Sequence, residues 1–294
     1  MVDICKHMEH LGPCGHTLSV SERAGLQVSM LQRQEEEGLQ KLLFWGKIMG
    51  AKDDYLVCQA TLPQSARGWD SGDDDSGFPA KKYFYCRSSD PTLVQMPPLS
   101  PEFAAKAAAV TSRFLGEPSL PLDGEPEDDP AAAAEAEDSE DGAATAPARE
   151  RLREEHRLAY IVAQIDREVA VVPRGAWVVD GARRVRPKRP FEGLSAEAAA
   201  SLRGYRHFRP PQGAQAVAAL ERKGLVRADD FLDALEEDRP AGIWSVFIEP
   251  SGSVAGLRSR LWPGFYFFHE IGTPEYGGVY FGTGLRNTDL AFML

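Results

Sequence analysis

Two hydrophobic periods alternate along this chain, and the places where they switch mark its elements. Ser19 and Glu22 have the spacing of a capping box, and Leu26, Met30 and Leu31 follow as an apolar stripe; together they predict a helix that fades by Gly38. Leu42 to Met49 and Tyr55 to Ala60 read as strands joined by the turn Gly50 to Asp54, with Lys81 to Arg87 as a third. Ser100 before Pro101 suits an N-cap and first helical position, and that helix is expected to run to Gly116. Leu158, Ile161, Val162 and Ile165 recur with helical spacing, on one face of a helix beginning near Arg149. Val169 to Val172 and Ala176 to Val179 read as short strands around the turn Pro173 to Gly175. Ser195 reads as the cap of a helix ending at Gly204, and Ala214 to Lys223 and Ala228 to Glu236 as two more short helices.

The pattern changes again at Trp244. The last 51 residues hold 11 of the 27 aromatics, in short runs broken by SGS, WPG and glycine pairs, which predicts an antiparallel meander. The fold class is therefore α+β, antiparallel meanders with packed helices. Residues 19–294 are expected to form one domain after a flexible tail, 1–18. Two segments within it, about 62–80 and 117–148, read as mobile insertions, because neither holds enough apolar surface to offset chain entropy.

Composition alters this picture at one point. The net charge is −11, but residues 117–148 hold eleven Asp or Glu and no Lys or Arg; outside them, acidic and basic residues balance at 33 each. The folded body is close to neutral. A chain of 294 residues with 43% hydrophobic content buries about three quarters of its unfolded surface without staples. Cys5, Cys14, Cys58 and Cys86 form no CxxC pair, no apolar run reaches the ~20 residues of a membrane span, and the opening MVDICKHMEHLG lacks a secretory core. A reducing cytoplasmic setting without membrane contact is expected.

The tempting chemistry resolves into ordinary roles. Cys5, His7, His10, Cys14 and His16 crowd the N-terminus, but one residue separates each Cys/His pair where structural zinc sites use two to four, so no metal is expected. Gly282, Thr283 and Gly284 open a GxGxxG pattern that fails at Asn287, and no helix is expected after it to point its N-terminus at a pyrophosphate. Ser195 is not in a GxSxG elbow, because Glu197 occupies the closing position. His207 and His269 lie among aromatics with no motif joining them to a nucleophile. No catalytic residue and no cofactor is expected. Arg183, Arg184, Arg186, Lys188 and Arg189, shortly after Arg174, form a basic loop without interleaved aromatics. That loop suits an acidic protein surface better than nucleic acid. The turn residue Trp262 and the apolar end at Phe292 and Leu294 are the other candidate partner contacts.

Longer strings carry more information. Leu42 to Ala60 (LLFWGKIMGAKDDYLVCQA), Gln164 to Trp177, Phe191 to Ser195, Leu257 to His269 (LRSRLWPGFYFFH) and Tyr276 to Leu294, in this order, resemble the radial spoke head proteins. The resemblance runs from about Ser19 to the C-terminus, the two insertions excepted, and carries no catalytic residues. It implies a structural subunit in the cytoskeleton of the motile cilium or flagellum, in the axonemal radial spoke, which links the central pair to the dynein arms that drive beating. The partners it implies are other head subunits, similar to radial spoke head proteins 4 and 6, spoke stalk protein 3 and, indirectly, central-pair projections. The alternative is a cytoplasmic adaptor outside any axoneme.

Overall fold

The computed structural model describes residues 1–62, 77–123, 151–181, 184–221, 227–228 and 230–293. In chain order its strands are β1 (Leu42–Ile48), β2 (Tyr55–Thr61), β3 (Lys81–Arg87), β4 (Val94–Gln95), β5 (Val171–Pro173), β6 (Trp177–Asp180), β7 (Val185–Pro187), β8 (Tyr205–His207), β9 (Arg227–Ala228), β10 (Trp244–Ile248), β11 (Val254–Ser259), β12 (Phe265–Glu270) and β13 (Tyr276–Gly282). The helices are α1 (Val20–Glu36), α2 (Pro101–Ala109), α3 (Glu154–Val169), α4 (Ala196–Ala199), α5 (Ala214–Glu221) and α6 (Leu290–Met293).

Two antiparallel runs, β1 to β4 and β10 to β13, merge into one eight-stranded sheet ordered β10-β11-β12-β13-β1-β2-β3-β4. The joint is the parallel pair of β1 and β13, with Gly46 opposite Tyr280. At that joint the β1–β2 register slips between Phe44 and Gly46, so Trp45 is the extra residue of a bulge. Gly46 is needed there, because a Cβ on it would lie 2.3 Å from the Tyr280 carbonyl oxygen. The short strands β5 and β8 form a separate pair, and β7, β6 and β9 a three-stranded sheet. The fold is α+β, and the expected meander is present.

Both faces of the large sheet are covered, so its strands are apolar on both sides. One face sends Trp45, Tyr55, Val57, Phe265, Phe267 and Tyr280 into a core completed by Leu158, Ile161, Val162, Ile165 and Val169, the stripe on α3. The other sends Phe44, Leu56, Cys58, Phe84, Phe268 and Phe281 against Val2, Ile4, Leu11 and Leu26. The capping box of α1 forms as expected, with Ser19 accepting from the Glu22 amide and Glu22 from the Ser19 amide.

Several expectations need correction. The N-terminus is not a flexible tail: Val2 exchanges backbone hydrogen bonds with Phe44, and Val2 and Leu11 are fully buried. Apolar residues spaced too irregularly for a helix or strand still cover a sheet face. The second helix stops at Ala109, not Gly116, because the chain must turn to bury Phe114. Between Ala228 and Glu236 the described residues form no α-helix: Ala228 ends β9, and Leu235–Glu237 makes a 3-10 turn. Ser195 caps the single turn α4, and a 3-10 turn at Leu202–Gly204 replaces the rest of that helix. Of the segments expected to be mobile, 63–76 and 124–150 lie outside the described residues. Their described flanks pack: Phe78 meets the rings of Phe208 and Phe231, and the Leu122 amide bonds the Leu152 carbonyl.

Candidate interaction surfaces

The basic loop is a hairpin, β6 and β7, on the small sheet. Trp177 pairs with Pro187 and Val179 with Val185, leaving Arg184, Arg186 and Arg189 exposed. Carboxylates that sequence reading overlooked trim its charge. Asp180 holds Arg186 at 2.9 Å and accepts from the Arg184 amide, while Asp230 holds Arg174 at 2.9 Å and Arg206 at 3.1 Å. Asp180 stands just ahead of the basic run, a visible signal; Asp230 is brought in only by the fold. Among the described residues, the guanidinium groups of Arg184 and Arg189 meet no carboxylate. Arg183 and Leu294 lie outside the described residues.

Trp262 is not a surface contact. It is 2% exposed inside the α3-side core, and its indole N–H donates to Glu168 at 2.7 Å. Phe292 is 90% exposed and Met293 67%, while Leu290 anchors the same turn in the core. The apolar end therefore divides into one docked residue and two presented to solvent.

The histidines are used in packing. His7 and His10 lie side by side against the Phe268 ring at 5.3 and 4.7 Å and pair with Glu275 and Glu270. His269 accepts the Leu194 amide at Nε2 and donates from Nδ1 to the Glu275 carbonyl, so burial lowers its pKa while that carbonyl pulls the other way. His207 holds Asp238 at 2.9 Å, and Trp244 donates to the same carboxylate at 2.7 Å. Burial alone would raise the Asp238 pKa; the His207 and Trp244 bonds outweigh it and hold it low. The other ring nitrogen of His207 is buried without a partner, so this His–Asp pair faces no nucleophile among the described residues. Among those residues, too, no group of three or more His, Cys, Asp or Glu is placed to hold a metal ion, and no helix is long and apolar enough to cross a membrane.

One buried charge organises the molecule's centre. Glu154, 1% exposed at the start of α3, accepts from Tyr55 Oη and the amides of Gly116 and Glu117 at Oε1, and from the Leu115 amide at Oε2. Burial and the carboxylate push the Tyr55 hydroxyl far above its ordinary pKa, which keeps it a donor. The Phe114 and Leu115 carbonyls in turn accept from Ala51 and Lys52 in the β1–β2 turn. Sheet, loop and helix are thereby latched together. The Arg157 guanidinium lies 4.2 Å over the Phe114 ring and bonds the Ser112 carbonyl, closing the loop from its other side. A cleft of about 470 Å³ beside the latch mixes Lys52 and Arg87 with Asp53, Asp90 and Glu117, and so presents neither sign of charge.

The surface thus carries an exposed basic hairpin and an exposed apolar turn at Phe292 and Met293. Residues 1–77 match the family model described as radial spokehead-like protein. Over 280 residues the chain is 38% identical to the radial spoke head protein 9 homolog of Danio rerio, covering 95% of this chain and 94% of the relative. It is 34% identical to the Homo sapiens homolog over 95% and 94% of the two chains, and 32% to that of Xenopus tropicalis over 98% and 97%. The chain belongs to the radial spoke head protein 9 family.

Proposed function

We propose that this chain is a structural subunit of the radial spoke head in the axoneme of motile cilia or flagella, where it transmits mechanical signals between the central pair and the dynein arms. The observation that carries the reading is likeness to proteins of that name along nearly the whole chain. The architecture suits the work: a sheet filled on both faces resists bending under repeated load, because close-packed interiors deform little. Its partners are other head subunits, similar to radial spoke head proteins 4 and 6, and spoke stalk protein 3, with central-pair projections met indirectly. The contacts assigned to those partners are Arg183, Arg184, Arg186, Lys188 and Arg189 of the basic run and Phe292 and Leu294 of the apolar run. The work is mechanical and not catalytic.

Fractionation tests the reading. The protein should stay with demembranated axonemes and leave only in chaotropic salt, and cells lacking it should show incomplete spoke heads by electron tomography and impaired beating. A protein that leaves with the detergent-soluble fraction, with complete heads in its absence, is a cytoplasmic adaptor instead. Reversing Arg184, Arg186 and Arg189 to Glu, or removing Phe292 to Leu294 while keeping the buried Leu290, should each weaken incorporation into the head without unfolding the chain.

A further inference from the structure

The two edges of the large sheet are finished differently. Strand β4 has two residues, is preceded by Pro91 and is followed by Pro97 and Pro98, which offer no amide to a neighbouring strand. The opposite edge, β10, is five residues of Trp, Ser, Val, Phe and Ile, with no charge, proline or bulge along it. Its pairing parity is set by two bonds just beyond its ends: the Arg260 amide donates to the Ile243 carbonyl, and the Glu249 amide to the Val254 carbonyl. Ile243, Ser245, Phe247 and Glu249 therefore bond β11, and Trp244, Val246 and Ile248 turn their amides and carbonyls outward. Among the described residues those outward groups meet no hydrogen-bond partner. Val246 is half-buried and Ile248 is 36% exposed, so the edge is apolar where it is open.

We propose that β10 pairs antiparallel with β10 of a second copy of this chain, about a two-fold axis at Val246. In that register Val246 faces its own copy, Trp244 faces Ile248 and Ser245 faces Phe247. Every outward donor meets an outward acceptor, and no charge opposes another. The strand's own composition is what such a neighbour requires, short, uncharged and β-favouring, which is the argument for a second copy over a different chain. The pairing also closes about its two-fold axis, and on the large sheet the proline-flanked β4 edge does not invite a further strand. A strand pair of this length buries less than the about 1,600 Å² of a standard interface, so the dimer is concentration-dependent. It stands on the sheet itself and does not need the spoke-head reading.

Sedimentation of the purified full chain across a concentration series tests this, together with hydrogen exchange at the β10 amides. The expected result is a monomer–dimer equilibrium in which the Trp244, Val246 and Ile248 amides gain protection as dimer forms. Val246→Pro removes an outward amide at a position where an edge strand tolerates proline, and should raise the dimer dissociation constant at least tenfold while thermal melts show a folded monomer. Val246→Lys, which opposes two cations on the axis, should do the same even if the proline variant fails to fold; Val94→Lys, on the other edge, should change nothing. A protein that stays monomeric at its highest soluble concentration, or a dimer unaffected by Val246→Lys, overturns the proposal. So does a dimer whose outward amides remain unprotected.

Discussion

Glu154 offers the sharpest test of how the molecule is held together. Three of its four donors converge on Oε1, at 2.7 Å from Tyr55 Oη, 2.7 Å from the Gly116 amide and 3.0 Å from the Glu117 amide, and one, the Leu115 amide, reaches Oε2 at 2.8 Å. Glu154→Gln can keep its carbonyl at the Oε1 position and hold those three. Its amide nitrogen then stands at the Oε2 position and sets a donor against the Leu115 N–H. The loss is one charge-assisted bond of about 1.5–3 kcal/mol, with a further contribution from the orphaned amide. The favourable placement of a carboxylate at the first turn of α3 is lost as well, about 0.5 kcal/mol. Relief of the buried charge offsets part of this, so about 3 kcal/mol is expected. At about 2–4 °C per kcal/mol for a domain of this size, the melting temperature should fall roughly 6–12 °C. Glu154→Ala leaves all four donors unpaired and should cost more. A double-mutant cycle of Tyr55→Phe with Glu154→Ala should give a coupling above ~1 kcal/mol, and one with Glu154→Gln, which keeps the Tyr55 bond, a smaller value. If Glu154→Ala melts within about 2 °C of wild type, the latch is ornamental and the loop from Val110 to Glu117 is held by packing alone.

Three further outcomes can be measured on the same purified chain. Gly46→Ala forces a Cβ to 2.3 Å from the Tyr280 carbonyl oxygen, so β1 and β13 must part; a loss of at least ~2 kcal/mol in urea denaturation is expected, and an unchanged midpoint would refute the close approach. Trp262→Ala empties a core site and strands Glu168, and should cost about 3–5 kcal/mol or yield insoluble protein; a variant that melts normally but loses its partners would return Trp262 to the surface. Burial lowers the pKa of His269 in the fold, so the unfolded chain takes up that proton first, and stability present above about pH 6.5 is lost as pH falls below it. Melts from pH 7.5 to 5.5 should decline, less steeply in His269→Gln; an equal slope in the variant would assign the pH dependence elsewhere.

Local signals carried much of this fold. The Ser19 capping box, the three strands from Leu42 to Arg87 and the aromatic meander after Trp244 stand close to where period and turn chemistry put them, because each is decided by residues within a few positions of one another. What failed to show was decided at a distance. Nothing near Leu42 announces that β1 will lie beside β13, although the WG pair at Trp45 and Gly46 is the trace of that neighbour. Val2, Ile4 and Leu11 follow no period, and only the sheet beneath them explains their burial. Trp262 resembled an exposed turn residue until α3 supplied Glu168. The basic hairpin was legible as charge, with Asp180 beside it in the sequence, but the pairing of Arg174 with Asp230 was not.

The parallel pair of β1 and β13 also sets an order of events during synthesis. Strand β1 leaves the ribosome early, but its parallel neighbour β13 begins only at Tyr276. Until β13 is made, the Gly46 to Ile48 stretch of β1 carries an open strand edge, with the Val2 bridge at Phe44 covering only the residues before it. Such an edge is a template for pairing with other nascent chains. A ribosome that stops anywhere before Tyr276 thus releases a product with this edge unsatisfied, so late truncations should yield aggregates and chaperone clients in place of a shorter working subunit.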